Sequence, residues 1–387
     1  MFMKHIFKII GLNLLILIAF STALLLFYIL DMHSWAYMLW GILLVVTCAN
    51  FYFKWLTGWK SVLGVTGVIA LLVILTFVGR VRHDVSFQGN LVAGTLRVLT
   101  RDLGNHSQSN NEAQNNSYNW KNWRPPKGYN NEKVSVGKVD GYLLQKNKST
   151  HNNKIVYQIH GGGYVNGFDD MYNKAAVNYS KAAHGAPVFS IDYRVAPKHQ
   201  YPAALEDAIS GYNWLLHHGY HSKDIIVAGD SAGGGLALAL TLKLENEGKN
   251  LPRMLILSSP WTDLAAQGKS YRENFHKDVI FGSNQAPTKA TTDIKVPYAS
   301  KNELKNPYVS PAYGHYNNMP PMLIQTGKDE MLLSDSKIVA HKVNQDGGHA
   351  KLITYAGMFH TFYILTPWLP ESHQAWNEIE QFIKENK

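Results

Sequence analysis

The chain has 387 residues, a formal net charge of +9 and a single cysteine. That length accommodates one large α/β domain with an appendage, and one cysteine excludes any intrachain disulfide framework. The basic balance is spread along the chain, +4 up to residue 90 and +5 beyond it, with no Lys/Arg-rich cluster of the kind that binds nucleic acid, so a solvated basic surface is the expectation.

Nearly all the long apolar runs fall before residue 80. Residues 9–30, 35–53 and 62–79 contain no Asp, Glu, Lys or Arg, and each is close to the roughly 20 residues that cross a bilayer as a helix. Helices buried in a soluble core keep a polar stripe, which these lack. The first run is also too long for a signal peptide's apolar region, and no small-residue cleavage site follows promptly. Three transmembrane helices are therefore predicted, in a membrane region covering residues 1–82. Trp35, Tyr37, Trp40, Tyr52, Trp55 and Trp59 crowd the ends of the second run, as an interfacial aromatic belt does. Lys4 and Lys8 precede the first span and Lys54 and Lys60 lie between the second and third, which places the N-terminus in the cytoplasm and residues after 80 outside it. Arg80 and Arg82 oppose that orientation, although long translocated domains are less sensitive to such charges. Cys48 lies inside the second span.

Residues 83–133 read as a cap helix followed by a linker. Leu91, Leu96, Leu99 and Leu103 form a rough helical stripe, expected to lie over an active site. Residues 104–122 are rich in Asn, Ser and Gln, and bury too little apolar surface to offset ordering entropy. Within them Asn105 and Asn115 fit glycosylation acceptors, a pattern that arises readily by chance in such a stretch.

From residue 134 to 387 short apolar runs alternate with longer helical patterns. Strands are expected at 155–159, 187–191, 225–228, 254–257, 322–325 and 351–355, and helices at 203–217, 232–247, 335–345 and 371–384. This alternation predicts a mostly parallel, doubly wound α/β sheet with a helical cap, whose ligands bind beyond the carboxyl ends of the strands. Residues 264–305 interrupt it with polar sequence expected to help cover the pocket.

Two motifs fall at those strand ends. Gly229-Asp230-Ser231-Ala232-Gly233 follows an apolar strand and opens a helix, the arrangement that exposes a nucleophilic serine on a sharp turn. His160-Gly161-Gly162-Gly163 follows another strand, and the N–H groups of Gly162, Gly163 and Ala232 are the expected donors to an oxyanion. His160 is expected to order its loop rather than transfer protons. Serine needs a base, and the order serine, acid, histidine selects His360, just past the last strand, with Asp329 as the best orienting carboxylate and Glu330 and Asp335 as close competitors.

His160 to Gly163, Asp192-Tyr193-Arg194-Val195-Ala196-Pro197, residues 201–207, the serine motif and Ser259-Pro260-Trp261-Thr262-Asp263 together resemble the hormone-sensitive lipase group of α/β-hydrolases. The resemblance implies an esterase or lipase acting on carboxylic esters, with Ser231, Asp329 and His360 as triad and no cofactor or metal. It strengthens Asp329 over its neighbours. Lys198 replaces the acid common after the Ala-Pro pair, and Thr361 stands where the family usually has glycine after its histidine. The expected partners are a small-molecule, lipid or acylated ester and the bilayer, with no nucleic acid. An amidase or peptidase using the same triad, and a silent membrane receptor or scaffold that kept the fold, are the alternatives.

Overall fold

The computed structural model describes residues 2–102, 118–147 and 153–386, with side chains from residue 12 in the first helix. Most of the Asn-rich stretch, with both glycosylation triplets, lies outside the described residues. The chain divides into two compact units, Met1–Gly104 and Asn105–Lys387.

The first unit is helical: α1 (Phe2–Ile29), α2 (Ser34–Phe53), α3 (Trp59–Val78) and α4 (Phe87–Arg97), the last running into a π-helical turn at Val98–Asp102. The first three are long and apolar enough to cross a membrane, because an α-helix of about 20 residues reaches ~30 Å. Phe20, Phe27, Leu30, Ala36 and Leu72 form a small internal core, while Val45, Tyr52 and Trp59 are 68, 81 and 70% exposed. Cys48 is exposed as well. Helix α4 is capped by Ser86, whose hydroxyl accepts from the Gly89 N–H at 2.9 Å. It packs on α1 so closely that a Cβ at Gly94 would overlap the Ile29 carbonyl. Arg97 donates to the Tyr28 carbonyl and pairs with Asp31 at 3.9 Å. The helix read from sequence as a cap is thus a member of the N-terminal unit, because its small face fits α1.

The second unit is built on an eight-stranded sheet: β1 (Tyr129–Val136), β2 (Val139–Lys146), β3 (Ile155–Ile159), β4 (Val188–Asp192), β5 (Ile225–Asp230), β6 (Met254–Ser258), β7 (Met322–Gly327) and β8 (Ala350–Tyr355), in the order β1-β2-β4-β3-β5-β6-β7-β8. β2 runs antiparallel to β1 and β4, and the remaining pairs are parallel. The central strands β3, β5, β6 and β7 are buried along their whole length, which is why they read as continuous apolar runs. Around them lie α5 (Asp170–Ala182), α6 (Ala203–His217), α7 (Ala232–Asn246), α10 (Leu333–Gln345) and α12 (Pro370–Glu385), with short helices α8 (Ser270–Glu273), α9 (Lys289–Thr292) and α11 (Phe362–Leu365) between strands. The β1–β2 hairpin and α5 carry no clear periodicity in sequence. β1 is an edge strand with half of its residues exposed, and α5 mixes polar residues into its buried face, Asn173 and Ser180 included. Tyr118 packs against Tyr142 and Phe168, so the second unit extends N-terminal of the boundary at 134 expected from sequence.

Candidate active site

Ser231 is the N-cap of α7, with φ 53° and ψ −123°. A non-glycine residue at positive φ is strained, and such strain persists only where the surroundings impose it. They do so here from three directions. The Ser231 N–H donates to the Ser258 carbonyl at 2.9 Å, its carbonyl accepts from Trp261 N–H at 2.9 Å, and the first turn of α7 presses against the end of β3. A Cβ at Gly233 would stand 2.2 Å from the carbonyl oxygens of Ile159 and His160, so only glycine lets the helix start there. The turn expected from the serine motif is present, and the α7 N-terminus lends partial positive charge beside the hydroxyl.

The loop after β3 faces this turn. Gly162 and Gly163 have φ of 98° and 63°, values open to glycine and costly for other residues. The Gly162 carbonyl is folded back into its own loop, accepting from Val165 and Asn166 N–H at 3.1 and 2.9 Å. Among the described residues the N–H groups of Gly162 and Gly163 have no protein acceptor, and Ala232 N–H lies in the first helical turn, where no intrahelical acceptor exists. Gly161 is held against the Asp230 carboxyl, which accepts its N–H; burial pushes that carboxyl up to about 7. His160 is fully buried, stacks on Tyr193 with ring centroids 4.1 Å apart, and bonds the Gly161 carbonyl through Nδ1 at 2.8 Å. Burial lowers it to about 4, so it is neutral near pH 7 and orders the loop.

His360 lies beyond β8 and is 5% exposed. Its Nδ1 meets Glu330 Oε2 at 3.0 Å. This corrects the sequence-level choice of Asp329: the turn after β7 leaves Lys328 exposed and Asp329 half-buried, and folds Glu330 completely inside. The longer side chain then reaches back beneath the turn. Its other oxygen, Oε1, accepts from Ser259 Oγ at 2.7 Å, from Thr326 Oγ1 at 3.1 Å and from the Gly327 N–H. Asp335, the third competitor, is committed elsewhere, accepting the N–H groups of Thr262 and Asp263 at 2.7 and 2.8 Å. No sequence signal separates two adjacent acids in a tight turn, apart from the apolar Met331-Leu332-Leu333 that draws the second one inward.

The 264–305 insertion reaches both halves of this constellation. The Phe281 ring meets His360 edge to face at 4.7 Å, and a Cβ on Gly163 would lie 4.0 Å from Val296 Cγ1. Tyr298 stacks on Tyr164 at 3.8 Å and anchors the insertion to the glycine loop. Among the described residues no group of three His, Cys, Asp or Glu side chains is placed to hold a metal.

Residues 156–364 match the family model described as the alpha/beta hydrolase fold. An esterase of Acinetobacter venetianus is 34% identical over 59% of this chain and 74% of its own length. An acetyl-hydrolase of Streptomyces hygroscopicus is 31% identical over 60% of this chain and 75% of its own. The crystal structure of an esterase from the bacterial hormone-sensitive lipase family superposes with a TM-score of 0.62 at 30% identity, covering 69% of this chain and 87% of that one.

Proposed function

This chain belongs to the hormone-sensitive lipase group of α/β-hydrolases, and from that membership we propose that it is a membrane-anchored serine carboxylesterase with Ser231, His360 and Glu330 as its triad. Ester hydrolysis is the activity its relatives' names carry. The observation that bears most weight is the join between the two halves of the site. Loop 258–261 holds the strained Ser231 backbone by two hydrogen bonds, and the same loop, through Ser259, holds the Glu330 that contacts His360.

In this reading Ser231 Oγ attacks the ester carbonyl carbon while His360 Nε2 takes its proton. The oxyanion is received by the N–H groups of Gly162, Gly163 and Ala232, each such donor being worth about 2.7–4 kcal/mol of barrier. Glu330 accepts from His360 Nδ1–H, fixing the tautomer and stabilising the imidazolium. The tetrahedral intermediate collapses, the alcohol departs with the proton from His360, and a water deprotonated by His360 cleaves the acyl-enzyme, restoring Ser231.

Phe281 and Val296 border the reacting groups, which favours short acyl chains, acetyl among them, in keeping with the Streptomyces relative's name. The three N-terminal helices anchor the enzyme, with the N-terminus cytoplasmic and the hydrolase unit outside. The test is hydrolysis of aryl acetate by detergent-solubilised full-length chain, with labelling of Ser231 by a fluorophosphonate. Activity and labelling that persist in Ser231→Ala would refute the reading, and protection of the hydrolase unit from protease added to intact cells would reverse the topology.

A further inference from the structure

Ser259 is 1% exposed and lies one residue past β6, at φ 44°, a second non-glycine residue held at positive φ beside the site. Its N–H donates to the Gln325 carbonyl of β7 at 2.7 Å. Its hydroxyl does two things at once: it donates to Glu330 Oε1 at 2.7 Å and accepts from the Thr361 N–H at 3.1 Å. Thr361 follows His360 directly and is itself in the left-handed region, at φ 50°. The backbone there takes the conformation for which glycine is the easy choice, and it aims the residue 361 amide at Ser259.

The turn after β7 carries the carboxylate and the turn after β8 carries the imidazole. Between strands they are joined by the sheet; beyond the strand ends, one hydroxyl of a third turn bonds to both. Donation to Oε1 leaves Oε2 to face Nδ1. We propose that Ser259 is a positioning residue of this hydrolase, a clasp that sets the distance between Glu330 and His360 by bonding one and the chain of the other. The proposal rests on the triad reading above. It assigns no contact with substrate to Ser259.

Small displacements of reacting groups are costly, up to about 10²-fold for an ångström. Ser259→Gly is the informative variant, because glycine accepts the positive φ and removes only the hydroxymethyl group. In the full-length chain, assayed on aryl acetate, it is expected to lower kcat about 10- to 100-fold, with KM changed less than about twofold. The acid limb of its kcat/KM profile should move to lower pH, because a loosened carboxylate stabilises the imidazolium less. Ser259→Ala should lose at least as much. A thermal unfolding midpoint near wild type shows that the fold survives in Ser259→Gly. An unchanged kcat, or an acid limb that stays or moves to higher pH in that folded variant, overturns the proposal. If Glu330→Gln retains full activity, the triad reading itself fails; if Glu330→Gln is inactive while Ser259→Gly is normal, only the clasp fails.

Discussion

The two units of this chain solve opposite problems with the same side chains. In the first, large apolar residues such as Leu17, Met38, Val45 and Leu63 point outward, and the internal core is small. In the second, Leu216, Leu365 and Trp368 are the exposed large apolar side chains among the described residues, while Tyr, Leu, Ile and Val fill the space around the sheet. An outward apolar surface of that extent goes with three helices long and apolar enough to cross a membrane. It also separates two kinds of polar burial. Among the described residues the first unit buries few polar groups, Thr47, Thr76, Asn90 and Arg101. The second buries carboxyl groups, Asp230, Glu330 and Asp335, each held by donors, as buried polar groups must be to remain tolerable.

The test that breaks this comparison most directly is partition: full-length chain should remain with membranes through an alkaline carbonate wash and require detergent for release. Release by carbonate alone would mean that the outward apolar faces are covered by protein. Next in size, Ser231→Ala should lower kcat by about 10⁴-fold or more, and Glu330→Gln by about 10³- to 10⁴-fold. Asp329→Asn should stay within a few-fold, and the inverse ranking in steady-state assays would return the orienting role to Asp329. Gly162→Ala should cost about 10²-fold in kcat, because its Cβ would stand 2.8 Å from the Asn166 carbonyl oxygen at a φ of 98°. Normal turnover there would detach this loop from the oxyanion.

A last effect falls on stability rather than turnover and concerns the Asp230 carboxyl, pushed by burial up to about 7. A carboxyl raised in the folded state holds its proton where the unfolded chain, with a value near 3.9, has released it. Its contribution is therefore full below pH ~4 and is lost as pH rises toward 7. Asp230→Asn, which keeps an acceptor for Gly161 N–H, should stabilise the hydrolase unit relative to wild type by on the order of 4 kcal/mol more at pH 8 than at pH 4. Denaturant unfolding across that range checks it, and equal differences at both ends would mean Asp230 titrates normally.

Much of the fold was legible because it is written locally. The strands at 155–159 and 225–228 and the helix at 203–217 appear where the apolar patterns put them. The β1–β2 hairpin is not legible locally because Asn130, Asn131, Glu132 and Lys133 leave the edge strand without an apolar alternation. The stripe expected at 90–103 is helical through residue 102, with Leu103 outside the described residues, but which surface receives an amphipathic face is a tertiary matter, and here α1 does.

The same division runs through the site. Gly229 to Gly233 and His160 to Gly163 determine their turns by themselves, since positive φ and close backbone approach leave glycine little competition. Whether Asp329 or Glu330 meets His360 depends on how one turn closes beneath β7, a matter of one residue's rotation and one methylene of reach. Ser259 was visible only as a motif letter, because its work lies in joining segments 102 and 71 residues away. Spacing along the chain specifies what a residue does to its neighbours; the sheet alone decides which distant groups become neighbours.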